Sequence, residues 1–269
     1  MNILNEIFSR RRTYLQSALT KEYLKFLEEK LIGTEKPRDF FQAFGSSEYA
    51  IIAEVKAGSP SKGIFFSELD PVFWGKLYEE SGANAISIVT DQFYFHGKKE
   101  WIEKVKSVTR LPVLRKDFLS SPEEILESRV YGADAVLLIA AVLEEKILSN
   151  LVQKALDLGM EPVVEVHTFE EAQKAVRTKT RIIGINNRDL KDFTVYLETT
   201  RKLLPFLKDF LVISESGFRT RDELEFFSHL GVRGFLIGET FLTSPYPEEK
   251  VKSLLPKSLK DSHLYGEAG

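Results

Sequence analysis

Ile51–Gly63 reads IIAEVKAGSPSKG, an apolar β-branched run that ends on Glu54 and Lys56 and passes into a Ser/Pro/Gly loop. Residues two apart in a strand share a face, so the two charged side chains point the same way. Charges at the end of an aliphatic strand are costly to bury unless partnered, so the pair marks either a surface or a site. The run extends back to YAIIAEVK (49–56), and seven similar runs follow. They are AISIVT (85–90), LPVLRK (111–116), DAVLLIA (134–140), EPVVEV (161–166), RIIGIN (181–186), FLVISES (210–216) and RGFLIGE (233–239). Most are nearly continuous in Val, Ile and Leu, as parallel strands covered on both faces require. Their starts lie 36, 26, 23, 27, 20, 29 and 23 residues apart, room each time for one strand, one crossover helix and two loops. Eight such units predict an α/β fold of the (β/α)8 TIM-barrel type. An open doubly wound sheet needs no eighth unit, and its usual Gly-x-Gly-x-x-Gly turn is missing after the first run.

The stretches between the runs carry helix signals. Ser120-Ser121-Pro122-Glu123-Glu124 offers an N-cap, a first-turn Pro and acids, with a stop at Tyr131-Gly132. Thr168 and Glu171 have capping-box spacing. Gly82, Gly132, Gly159 and Gly231 fall where left-handed C-caps are wanted. Ahead of the repeat, Ile3, Leu4, Ile7 and Phe8, then Leu24, Leu27 and Leu31, have helical spacing and predict two helices covering the barrel. The expected layout is one barrel domain spanning 1–269, with a helical extension (1–46), the barrel (47–255) and a polar, flexible tail (256–269).

Composition limits the function. The 269 residues suit one closed barrel, and 37 basic against 40 acidic residues leave no electrostatic footprint for nucleic acid. No apolar run approaches the roughly 20 residues of a membrane span, and no secretion signal is evident. With no cysteine, disulfides, thiolate nucleophiles and sulfur-ligated metals are excluded, and a cytoplasmic enzyme is expected. The four histidines, His96, His167, His229 and His263, form no metal-ligand pattern. His167, two residues beyond Glu165, reads as a surface or helix-start residue, with a place beside the site as the alternative.

Barrel enzymes build their sites from the C-terminal strand ends. Read in order, these ends supply Glu54 and Lys56, Thr90 and Asp91, Lys116 and Asp117, Glu165, then Asn186-Asn187-Arg188, Glu215-Ser216-Gly217 and Gly238-Glu239. Singly, each could be a solvated loop residue. Together, Lys56 and Lys116 facing Glu54, Glu165 and Glu215 would form a mutually satisfied ring. The Ser216-Gly217 and Gly238-Glu239 turns stand where barrels most often bind phosphate, although glycines in tight turns would look the same. Ser59 and Ser61, in the loop after the first strand, could add hydroxyl contacts to the same phosphate.

These strings, in this order, resemble the indole-3-glycerol phosphate synthase family. The likeness runs through Glu54-Val-Lys56-x-x-Ser59-Pro60-Ser61, Thr90-Asp91, Lys116-Asp117-Phe118, Glu161-Pro162-x-x-Glu165, Ile185-Asn186-Asn187-Arg188-Asp189-Leu190, Ser214-Glu215-Ser216-Gly217 and Ile237-Gly238-Glu239. It covers nearly the whole chain. The family often has a basic residue between Lys56 and Ser59, where this chain has Ala57-Gly58.

The resemblance implies a cofactor-free lyase that closes an indole ring on 1-(2-carboxyphenylamino)-1-deoxyribulose 5-phosphate. Lys116 would be the acid at the ribulose carbonyl. Lys56 would hold the substrate carboxylate or share the acid role, and Glu165 with Glu54 or Lys56 would serve the dehydration. Asn186 and Glu215 would orient the substrate, while Arg188 and the two glycine turns would contact it or its phosphate. Three ionised glutamates beside a carboxylate and a phosphate of about −2 would repel them, so a raised glutamate pKa is expected, with Glu165 the candidate. A Schiff-base aldolase, a phosphosugar isomerase and a non-catalytic phosphate-binding barrel are the rivals. Borohydride trapping at Lys56 or Lys116 would mark the aldolase, and only the synthase yields indole absorbance. The expected partner is the phosphorylated substrate alone, with no nucleic acid or membrane and a monomer or weak oligomer in solution.

Overall fold

The computed structural model describes residues 3–45, 47–189 and 193–257. Leu190, His263 and nearly all of the expected tail lie outside them. The strands are β1 (Ala50–Val55), β2 (Gly58–Ser59), β3 (Gly63–Ile64), β4 (Ala85–Val89), β5 (Val113–Lys116), β6 (Ala135–Ile139), β7 (Glu161–Val166), β8 (Ile182–Asn186), β9 (Leu211–Glu215) and β10 (Gly234–Ile237). The helices are α1 (Ile3–Ala18), α2 (Lys21–Leu31), α3 (Pro71–Glu80), α4 (Glu100–Lys106), α5 (Pro122–Val130), α6 (Glu145–Asp157), α7 (Phe169–Val176), α8 (Glu198–Leu203), α9 (Arg221–Leu230), α10 (Glu239–Leu242) and α11 (Pro247–Leu254).

All eight apolar runs become strands of one closed parallel barrel, with neighbours β1-β10-β9-β8-β7-β6-β5-β4 and β1 pairing β4 to close it. The order follows from the sequence spacing, since each crossover returns the chain beside the strand it left. β2 and β3 are not barrel strands. They pair antiparallel in a small hairpin within the loop after β1.

Alternation along the strands divides the apolar residues in two. Ile52, Leu114, Leu137, Val163, Ile182, Ile213 and Leu236 fill the barrel, while Ile51, Ile86, Val136, Val164, Ile183 and Phe235 pack outward among the helices. The inner cluster also contains Phe40 and Phe44, from the segment that joins the extension to β1. A Cβ on Gly234 would stand 2.5 Å from the Phe44 ring, which places that ring at the N-terminal mouth of the barrel. Nothing in the hydrophobic periodicity marked this plug.

The helix signals are largely realised. Ser121 caps α5 with Pro122 in its first turn, and Gly82, Gly132, Gly159 and Gly231 all have positive φ. At α7, Thr168 accepts from the Glu171 N–H, but the Glu171 carboxylate binds the backbone N–H of His167 at 2.7 Å rather than closing the box on Thr168. The complete capping box is at Thr220 and Glu223 on α9. Both expected N-terminal helices are present, and Leu4, Ile7 and Leu27 are buried.

Candidate active site

The C-terminal strand ends open onto a cavity of about 840 Å³. Glu54, Lys56, Lys116, Glu165, Asn186, Arg188, Ser216, Gly217, Gly238 and Glu239 all line it. Glu215 stands just behind this wall, 1% exposed. Ser59, in β2, is half-buried and Ser61, in the turn between β2 and β3, is exposed, and both stand off the cavity wall.

Two ion-pair clusters make up the polar floor. Lys56 Nζ lies 2.5 Å from Glu54 Oε1. Lys116 Nζ donates to Glu165 Oε2 at 3.2 Å and to Glu215 Oε2 at 3.0 Å. Burial alone would strip Lys116 of its proton, but Glu165, Glu215 and Glu54 outweigh that and hold its pKa above the ordinary lysine value. Burial also disfavours a charged Glu54, yet Lys56 and Lys116 keep its pKa low.

Glu165 and Glu215 share Lys116 but differ in everything else around them. Glu165 has a second cation near it in His167, and it receives a hydrogen bond from the Asn186 side chain. Against burial, these partners with Lys116 lower its pKa. Glu215 has no such help. Its Oε1 is buried without a hydrogen-bond partner among the described residues. Burial dominates, the neighbouring Glu165 and Glu54 add repulsion, and its pKa rises to about 7. The raised carboxyl is therefore Glu215, not Glu165 as expected from charge counting.

The sign of the consequence is fixed by linkage. Between the usual 4.5 and about 7, folded Glu215 holds a proton that the unfolded chain releases, so stability falls as pH rises through that window. Glu215→Gln should flatten that portion of the curve in urea melts run at several pH values.

The backbone accommodates these carboxylates only through glycines on the facing strands. A Cβ on Gly184 of β8 would stand 2.5 Å from Glu215 Oε1. Gly184→Ala must displace the carboxylate, and a misplacement of ~1 Å in a catalytic constellation can cost ~10²-fold in rate. Steady-state kinetics of Gly184→Ala should show that loss in kcat, with the fold retained by circular dichroism.

The β9 turn has unusual geometry. Ser216 has φ 67° and Gly217 φ 101°, so a non-glycine residue occupies the left-handed region. Buried Asn187 holds the turn, with Nδ2 3.0 Å from Ser214 Oγ, 3.0 Å from Glu215 O and 3.1 Å from Ser216 O. Asn186 Oδ1 accepts from the Arg188 N–H and from the Ser216 hydroxyl, both at 3.0 Å, which directs its amide nitrogen to Glu165. Glu239 begins α10, and its carboxylate lies 3.8 Å from Lys62 Nζ and 3.7 Å from Arg188 Nη2. Arg219 and Lys250 also line this end of the cavity.

Other lining residues carried no isolated signal in the sequence. Leu4 of α1, Phe95, Phe118, Leu137 and Ile139 form an apolar wall. Asp91 builds part of it, because its Oδ1 accepts from the N–H groups of Tyr94 (2.7 Å) and Phe95 (3.1 Å) and so sets the turn carrying Phe95. His167, expected at a helix start, does precede the α7 cap. It is nevertheless largely buried, with Nε2 3.4 Å from Glu165 Oε1.

A model of the indole-3-glycerol phosphate synthase family matches residues 4–254. The chain belongs to this family. It is 43% identical over 260 residues to the indole-3-glycerol phosphate synthase of Aquifex aeolicus, covering 95% of this chain and 99% of that one. Against the synthase of Petrotoga mobilis it is 42% identical over 229 residues, covering 83% and 90%. Among solved structures, KGPDC from Streptococcus mutans superposes with a TM-score of 0.59 at 14% identity, over 77% of this chain and 95% of that one. That likeness is one of barrel fold. The chain is a carboxy-lyase of tryptophan biosynthesis, converting 1-(2-carboxyphenylamino)-1-deoxyribulose 5-phosphate to indole-3-glycerol phosphate, carbon dioxide and water. No helix among the described residues is long and apolar enough to cross a membrane.

Proposed function

We propose that Lys116 is the acid of the ring closure. The observation that carries this is its position: a buried ammonium at the cavity floor, 3.0–3.2 Å from two carboxylates. As the aromatic carbon attacks the ribulose carbonyl, charge develops on the carbonyl oxygen, and a fixed N–H donor stabilises it and delivers a proton. An ammonium surrounded by anions gives up its proton reluctantly. A protonated Glu215 removes one of those anions, so the high pKa of Glu215 makes Lys116 a better acid.

The cavity is divided to suit the substrate. The carboxyphenyl ring fits the apolar wall of Phe95, Phe118, Leu137 and Ile139. The phosphate fits the other end, among the Ser216-Gly217 and Gly238-Glu239 turns with Arg188, where cations and backbone N–H groups offset its charge. Lys56, paired to Glu54 at the cavity wall, takes the substrate carboxylate until it leaves as carbon dioxide. Glu165, as the proton donor, and Glu54, as the base, then serve the dehydration. Asn186 holds Glu165 and the Arg188 backbone in register for both steps. Ser59 and Ser61 take no part in this reading, since the hairpin holds them off the wall.

A Schiff-base role for either lysine conflicts with the ion pairs, because imine formation needs a neutral amine. Incubation with the carboxyphenylamino-deoxyribulose phosphate should give a rise in indole fluorescence, and borohydride added with the substrate should leave the protein mass unchanged.

A further inference from the structure

His167 does not line the cavity, yet it touches Glu165 from outside it. Glu171, at the start of α7, fixes the imidazole. Its Oε2 accepts from the His167 backbone N–H at 2.7 Å and lies 3.1 Å from Nδ1. A carboxylate can only accept, so Nδ1 carries a hydrogen. The ring's other nitrogen, Nε2, is buried, makes no hydrogen bond among the described residues and stands 3.4 Å from Glu165 Oε1. A neutral ring protonated on Nδ1 would aim the Nε2 lone pair at a carboxylate oxygen. A proton on Nε2 or on Glu165 removes that repulsion.

The reaction needs such a proton. The substrate's carboxylate departs as neutral carbon dioxide while its phosphate is unchanged, so each turnover consumes one proton net. Substrate in the cavity separates Lys116 and Glu165 from bulk water on that side. His167, outside the cavity wall and 3.4 Å from Glu165 Oε1, can hold a proton there while substrate is bound.

We propose that His167 is a positioning residue that orients Glu165 and stores the proton Glu165 exchanges. The proton moves from Nε2 to Glu165 Oε1, leaving a neutral imidazole, and once product leaves, water in the open cavity returns a proton to Nε2 through Glu165, which lines that cavity. The proposal rests on the reading of Glu165 as a catalytic group. The charged groups facing the ring are Glu165 and Glu171 in contact, Glu215 farther off and Lys116 beyond Glu165. Burial alone would lower the imidazole pKa, but the carboxylates more than offset this and raise it, so the stored proton is lost at a higher pH than from a free imidazole.

The test is kcat against pH for wild type, His167→Gln and His167→Ala, with and without added imidazole. Glutamine can still donate toward Glu165 but cannot supply a proton. Its kcat should fall at least about tenfold, short of the ~10²–10⁴ attributed to a direct acid or base, with KM nearly unchanged. The alkaline limb due to the imidazolium should disappear, and imidazole should restore much of the rate to His167→Ala but not to His167→Gln. A limb unmoved in His167→Gln, whatever the loss of rate, would overturn the proposal. Glu165→Gln separates the two readings. If it retains turnover, the proton donor is misassigned; if it is inactive while His167→Gln keeps the wild-type rate and profile, only the present inference fails.

Discussion

Lys116→Met is expected to lower kcat by ~10²–10⁴-fold, the usual worth of a positioned general acid. Its effect on stability should depend on pH. Without the ammonium, Glu165 and Glu215 remain buried and adjacent, and the group left to offset their charge is His167 beside Glu165. Removing one partner of a buried pair costs about 3–5 kcal/mol when the other charge stays. Both carboxyls should then titrate above the usual 4.5, so the folded state would hold protons that the unfolded state releases. Stability must fall as pH rises, and the deficit should be small at pH ~5 and large at pH ~8. Lys116→Arg separates charge from chemistry. A guanidinium keeps a cation beside both carboxylates but does not deprotonate, so stability should largely recover while turnover does not. Indole fluorescence and urea melts at the two pH values measure both quantities. Turnover of Lys116→Met within twofold of wild type would exclude Lys116 as the acid.

The barrel was legible because its eight strands are short, continuous and aliphatic, and because a polar residue ending such a run has few structural excuses. The same reasoning failed where a helix is covered on more than one side. α5 reads PEEILESRV, where only the cap and stop signals were legible, yet Glu124, Glu127, Ser128 and Arg129 are all buried. The extension lies over that face: Arg11 of α1 binds Glu124, and the Tyr23 hydroxyl of α2 donates to Glu127 at 2.7 Å. Pairing between elements far apart in sequence, more than a hundred residues for Arg11 and Tyr23, helps make those charges core, and periodicity cannot report it. His167 escaped for a related reason. Its neighbour Glu171 looked like half of a capping box, whereas the carboxylate turns to the imidazole instead. The glutamate pKa values were misassigned because the sequence could count charges but not show that Glu165 has two cations and Glu215 one.

Arg11→Met should be the most damaging change outside the cavity. Arg11 is 5% exposed and holds two carboxylates: Asp117 at 2.8 Å through Nη1 and Glu124 at 2.8 Å through Nε. Asp117 also accepts from Thr90 Oγ1 at 2.5 Å and pairs with Arg115 at 3.2 Å, and Arg115 reaches Glu127 at 3.0 Å. Methionine fills much of the volume but leaves this cluster one cation short, so a loss of about 3–5 kcal/mol is expected. At roughly 2–4 °C per kcal/mol for a chain of this size, Tm should drop on the order of 10 °C. Asp117 directly follows Lys116, and Leu4 of the same α1 helix lines the cavity, so kcat and KM should both worsen. The double variant Arg11→Met/Asp117→Asn separates packing from charge. Asparagine removes the orphaned charge and can still accept from Thr90. If the orphan is the cause, the double variant should be more stable than Arg11→Met alone, with a coupling energy well outside the additivity error of about 0.5 kcal/mol. Simple additivity would mean instead that α1 is held by its apolar face, and that the ion cluster contributes nothing net to docking the extension on the barrel.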